Sequence, residues 1–122
     1  MLEYVIDSLK SINPNRIIVS VNSLFSSQFR DYLNSVEHFT NVELFVEESN
    51  NEEQKLGALG ALNLLFNTYN LKGPIFIAGG DNLSDFNLKK MVDVYERTDK
   101  DVIGLFDVGS FELAKLYGIS EL

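Results

Sequence analysis

Cysteine is missing from all 122 residues, which excludes disulfide frameworks, thiolate zinc sites and cysteine nucleophiles together. A single histidine, His38, cannot supply a histidine-rich metal site, and between Glu37 and Phe39 it reads as a surface residue. Neither Gly-x-Gly-x-x-Gly nor Gly-x-x-x-x-Gly-Lys-Ser/Thr occurs, so dinucleotide and P-loop readings have no support. No apolar run approaches the roughly 20 residues that cross a bilayer. Leu2-Glu3-Tyr4 after Met1 lacks the basic start of a secretory signal. Basic residues are scarce as well: 10 Lys and Arg face 18 Asp and Glu, for a net charge of −8. That is the wrong sign for a protein that grips a phosphate backbone. These absences predict a cytoplasmic protein that binds neither nucleic acid nor membrane.

What is present is ordinary globular material, 45% hydrophobic and 23% charged, and its length suits one domain spanning residues 1–122. Leu2, Val5, Ile6 and Leu9 recur at helical spacing and predict an opening helix that Asn13-Pro14-Asn15 breaks. Residues 16–21 are β-branched and nearly continuous, the pattern of a strand buried on both faces. Ser23 is placed to cap a second helix with Phe25, Phe29, Tyr32 and Leu33 on one side. Residues 42–46 read as a second strand, 47–54 as a polar acidic loop, and 56–69 as a largely buried helix. After the turn Lys72-Gly73-Pro74, residues 75–78 read as a third strand. A helix capped by Asn87 or Asp85, a fourth strand over 102–106 and a short helix over 111–116 complete the chain. Strands separated by crossover helices are parallel, so the expected fold is α/β: a three-layer, mostly parallel, Rossmann-like sheet with helices on both faces.

Ligands of such sheets bind beyond the carboxyl ends of the strands. Asn22, Glu47-Glu48, Gly79-Gly80-Asp81-Asn82 and Asp107 occupy those places. The third is the sharpest. Its glycines permit close approach of a backbone or ligand, and Asp81 is positioned either to hold a hard cation such as Mg²⁺ or simply to cap a tight turn. Gly57 and Gly60, three apart at a helix start, either leave N–H groups open to a ligand or let the helix pack closely on the sheet. Glu47, Glu48, Glu52 and Glu53 lack the alternating spacing and glycine of a calcium loop.

Taken together, these segments resemble the sugar-1-phosphate nucleotidylyltransferases, the family of glucose-1-phosphate thymidylyltransferase and mannose-1-phosphate guanylyltransferase. Residues 1–9 look like the family's first helix, and residues 16–22 like its second strand. Leu56-Gly57-Ala58-Leu59-Gly60-Ala61-Leu62 is similar to its Leu-Gly-Thr-Ala-x-Ala-Leu element, which lies against the nucleotide base. Phe76-Ile77-Ala78-Gly79-Gly80-Asp81-Asn82-Leu83 matches its Gly-Asp motif, and Lys115-Leu116-Tyr117-Gly118-Ile119 its Tyr-Gly-Val segment on the sugar side. The resemblance implies nucleoside triphosphate and sugar 1-phosphate as partners and Mg²⁺ as cofactor. It implies Glu47, Gly57, Ala58 and Gly80 as nucleotide-binding, Tyr117 and Gly118 as sugar-binding, and Asp81 as the metal ligand, in a cleft that Asp81 shares with Gly57 and Tyr117.

The departures are as specific as the matches. The family's Gly-x-Gly-x-Arg loop and Pro-Lys-Pro segment, whose basic side chains neutralise the pyrophosphate, have no counterpart here. In the family they precede the helix matched by residues 1–9. The family's second metal-binding aspartate is also without a counterpart, and Ala58 and Leu59 stand where the family has Thr-Ala. The resemblance therefore implies an incomplete nucleotide-diphospho-sugar transferase fold, with no catalytic residue assigned. In the family, a strand lies between those matched by residues 16–21 and 75–78. Its absence predicts that the two strands close on each other or that a second chain covers their edges, and a homo-oligomer is the expectation.

Overall fold

A computed structural model describes residues 1–37, 39, 41–48, 56–82 and 85–118. His38, Leu83, Ile119 and most of the acidic loop lie outside the described residues. The chain divides into two compact units, Met1–Asp85 and Phe86–Leu122.

In the first unit, helix α1 (Leu2–Lys10) forms where the apolar stripe predicts it and buries Val5 and Ile6. Ser11 is its C-cap, and the turn beyond reaches Asn13 at φ 50°, a left-handed conformation that asparagine tolerates, before Pro14, which cannot continue a helix. Strand β1 (Ile17–Asn22) and strand β2 (Val42–Glu47) run parallel, in register from Ile17 opposite Val42 to Asn22 opposite Glu47. Between them, a single 3₁₀ turn (Ser23–Phe25) leads into α2 (Ser26–Ser35). Ser23 therefore does not cap α2. Its carbonyl accepts from Ser26 Oγ at 2.9 Å, and Phe25 falls in the 3₁₀ turn, half exposed and off the apolar stripe of α2.

Ile6, Ile17 and Phe39 are the centre of the core, with Leu9, Val19, Leu33 and Val42 packed around them. Tyr32 of α2 meets Phe39 edge-on at 6.4 Å and donates to Glu3 of α1 at 3.2 Å. Burial and that carboxylate hold the Tyr32 phenol above its ordinary range. Side chains alternate along a strand, so Glu43 and Phe45 leave β2 on the face opposite Val42. There Tyr69, at the end of α3 (Gly57–Tyr69), lies 5.8 Å from Phe45, and the Arg16 guanidinium lies 4.2 Å over the Tyr69 ring.

Arg16 also forms a bidentate pair with Glu43, Nε and Nη2 each donating at 2.6 Å. This hydrogen bonding holds the Glu43 carboxyl below its ordinary 4.5. A carboxyl lowered in the folded state contributes stability above its unfolded value and loses it as pH falls through the lowered one. Glu43→Gln is therefore expected to lower Tm at neutral pH. The gap to the wild type should close as pH drops below the ordinary carboxylate range. A gap that persists at the most acidic pH would show that the pair contributes nothing through charge.

Two expectations fail. Residues 75–78 and 102–106 form no ladder; among the described residues the sheet has two strands, β1 and β2. β-branched sequence favours a pleated surface, but a strand exists only where a neighbour accepts its hydrogen bonds. Nor is α3 largely buried. Leu65 is its one buried side chain, while Leu59 is 82% exposed. The run 75–78 does not close on β1. A cavity of about 590 Å³ is lined by both, by Leu2 and Ile6 of α1, and by Leu62 and Leu65 of α3.

The second unit holds α4 (Leu88–Thr98) and the short α5 (Phe111–Ala114). Asn87 is the cap of α4, its side chain accepting from the Lys89 N–H at 3.0 Å. Asp99 ends α4 in a left-handed conformation, and Ser110 caps α5.

Candidate functional site

Residues 79–82 fold into a turn in which the Asn82 N–H donates to the Gly79 carbonyl at 3.3 Å. A methyl group on Gly79 would collide with the Asn82 carboxamide and come within 3.2 Å of Asp81 Oδ1. The clashing atom is the far end of the Asn82 side chain, so a side chain at position 79 requires that carboxamide to swing aside and not the backbone to move. Gly80, the residue singled out from sequence, meets only a Leu2 methyl at 3.9 Å, an ordinary contact. The tight position was missed because two adjacent glycines look alike in sequence. Only the fold of the turn shows which of them lies under the Asn82 side chain.

Asp81 is exposed and, among the described residues, has no ion-pair partner. No group of three or more Asp, Glu or His side chains converges among the described residues. Asp81 thus offers an exposed hard-oxygen donor outside any ion pair among the described residues. That chemistry suits Mg²⁺, which is commonly held by one or two carboxylates and completed by phosphate oxygens.

Glu47 ends β2 directly opposite Asn22. The Ser20 hydroxyl donates to Glu47 Oε1 at 2.7 Å, fixing that carboxylate at the carboxyl end of the ladder. Ser20 was not foreseen, although the parallel register places it diagonally from Glu47 on the same face. Asn22 Oδ1 is buried and, among the described residues, has no hydrogen-bond partner. Glu48 is exposed.

Gly57, the first residue of α3, has φ 66°, and none of the described residues lies within 4 Å of where a Cβ would be. Gly60 has a different requirement: its Cβ would come 2.8 Å from Leu56 Cβ. Ala58 is exposed beside Gly57. Because L residues resist the left-handed conformation by about 1–2 kcal/mol, Gly57→Ala should destabilise the chain by that amount without any clash. Gly57→Asn should lose less, since asparagine visits this conformation more readily. Thermal unfolding of the two variants checks this. Equal losses would place the cost in contacts, not dihedrals.

The cavity along β1 reaches Gly80 but is not lined by Glu47, Gly57, Ala58 or Asp81. Tyr117 and Gly118 belong to the second unit, where both are exposed and the Tyr117 N–H donates to Ala114 O at 3.1 Å. Asp107 is committed locally, its carboxylate accepting from the Gly109 N–H at 2.8 Å.

A parallel β-α-β ladder, with polar groups at the strand ends and a glycine-aspartate turn, defines an α/β protein of the kind that binds ligands at its strand termini, consistent with a partial Rossmann-like fold. The family model described as nucleotidyl transferase matches residues 1–122, and the chain belongs to that family. No curated protein and no solved structure matches the chain. Among the described residues, no helix is long and apolar enough to cross a membrane.

Proposed function

We propose that this nucleotidyl transferase domain serves nucleotidyl transfer from a nucleoside triphosphate to a sugar 1-phosphate. In that reaction the sugar phosphate oxygen attacks the α-phosphorus, a new P–O bond forms, and pyrophosphate leaves with the old one. The observation that carries this reading is the exposed Asp81 in its Gly79–Asn82 turn, within a chain that matches the family from end to end. Mg²⁺ bound at Asp81 would screen charge on the phosphate oxygens. Glu47, Gly57, Ala58 and Gly80 would contact the nucleotide, and Tyr117 and Gly118 the sugar. The full sheet of this reading has three layers, with helices on both faces.

Charge decides how much the chain does unaided. The leaving pyrophosphate needs cationic side chains, yet the 122 residues hold no Gly-x-Gly-x-Arg segment and carry a net charge of −8. Arg16 is already paired with Glu43. These observations favour a second reading beside the first: alone, residues 1–122 bind nucleotide without turning it over, as a binding module or assembly subunit. Calorimetric titration of nucleoside triphosphates with Mg²⁺, followed by a pyrophosphate-release assay with sugar 1-phosphates, separates the two. Binding without release supports the module, binding with release supports the enzyme, and no binding of any nucleotide removes both.

A further inference from the structure

The hydrogen bond between Ser20 and Glu47 joins the two strands where they end. Ser20 stands opposite Phe45 and Asn22 opposite Glu47, so Ser20 and Glu47 are diagonal neighbours on one face of the ladder. A serine hydroxyl has a single proton, and here it goes to Glu47 Oε1 at 2.7 Å. Glu47 is half-buried and, among the described residues, stands in no ion pair. Arg16, on the same face, is committed to Glu43 and to the Tyr69 ring at the start of the strands. The ladder therefore ends in a carboxylate that is fixed in place by a neutral donor and not neutralised by a described cation.

Such a group can only accept hydrogen bonds, and two oxygens accept best from two donors set side by side. Among the nucleobases guanine presents that pair, N1–H beside its N2 amino group. Adenine and cytosine offer an amino group next to a ring nitrogen that is itself an acceptor. Uracil and thymine offer one N–H between two carbonyl oxygens, which a carboxylate repels. Holding the acceptor still matters as much as having it, because a side chain that must first be ordered gives back part of what its contacts gain. We propose that Ser20 is a positioning residue: it holds the Glu47 carboxylate to accept from the nucleobase, and the site thereby selects guanine nucleotides. The proposal rests on the reading of Glu47 as nucleotide-binding and names the base that this reading leaves open.

Calorimetric titration of the whole chain with GTP, ITP, ATP, CTP and UTP, each with Mg²⁺, tests this. GTP should bind about tenfold or more tighter than UTP, and tighter than ITP, which keeps N1–H but lacks the N2 amino group. Ser20→Ala should cost GTP most of that advantage while UTP affinity stays unchanged. Ser20→Thr keeps the hydroxyl and should keep the preference. A merely structural role for Ser20 would weaken all the nucleotides alike, and that result overturns the proposal. Equal affinity for all of them, a preference for another base, or a GTP preference that survives Ser20→Ala overturns it too, while leaving nucleotide binding in place. No binding of any nucleotide overturns it together with the reading on which it rests. Should circular dichroism show that Ser20→Ala is unfolded, Glu47→Gln decides: loss of the GTP preference supports the proposal, and its survival overturns it.

Discussion

Asp81→Asn is expected to abolish Mg²⁺-dependent nucleotide binding while leaving the chain folded. The side chain is exposed and, among the described residues, outside any ion pair, so replacing it by a near-isostere should shift stability by no more than about 0.5 kcal/mol. Its effect on a bound cation is of another order. Mg²⁺ prefers anionic oxygen, and a neutral carboxamide contributes a dipole where a full charge stood. Among the described residues no cluster of three or more acidic or histidine side chains exists to take over its part. Calorimetry with and without Mg²⁺ reads the outcome. If the variant and the wild type show the same Mg²⁺-dependent affinity, Asp81 is a turn residue and no more. Gly79→Ala is the companion variant: its methyl would displace the Asn82 carboxamide while crowding Asp81 Oδ1 only to 3.2 Å, so Mg²⁺-dependent affinity should change far less than in Asp81→Asn.

Ile6→Ala is expected to produce the largest loss of stability of any variant considered, about 2–5 kcal/mol. Ile6 is 1% exposed and sits at the centre of a core with few fully buried members. It contacts the cluster formed by α1, β1 and the segment around Phe39, so the hole left by truncation borders three elements at once. Against a domain margin of about 5–15 kcal/mol, such a loss leaves a substantial unfolded fraction. Urea denaturation checks it. A change below about 1 kcal/mol would mean that the neighbours collapse into the space, for which the adjoining cavity lined by Ile6 gives them room.

The helices were legible in the sequence because each carries its own signal. Leu2, Val5, Ile6 and Leu9 repeat at the helical period, Asn13-Pro14 stops α1, and Asn87 caps α4 through a hydrogen bond two residues long. Strands β1 and β2 were legible too, and their parallel pairing followed from the helix between them. Glu47 could be picked out as a strand-end carboxylate because strand ends are where an open sheet binds its ligands. Asp81 was picked out on the same ground, but it follows residues 75–78, which form no ladder, and lies in a turn.

Residues 75–78 and 102–106 show where local reading stops. Their side chains favour a pleated surface as strongly as those of β1, yet neither forms a ladder, because ladder hydrogen bonds belong to two segments at once and composition names only one of them. The same holds for the glycines. Sequence marks Gly57, Gly60, Gly79 and Gly80 alike as permissive, whereas the fold gives them four different surroundings: a left-handed helix start, a close approach to Leu56, an overhanging Asn82 carboxamide, and an ordinary contact with Leu2. Ser20 holds Glu47 only because the register sets their strands side by side. Periodicity, caps and breakers are properties of neighbours along the chain, and the sequence by itself determined those. Which strand finds a partner, which glycine has no room and which carboxylate is held depend on residues distant in the chain, and only the tertiary structure decided them.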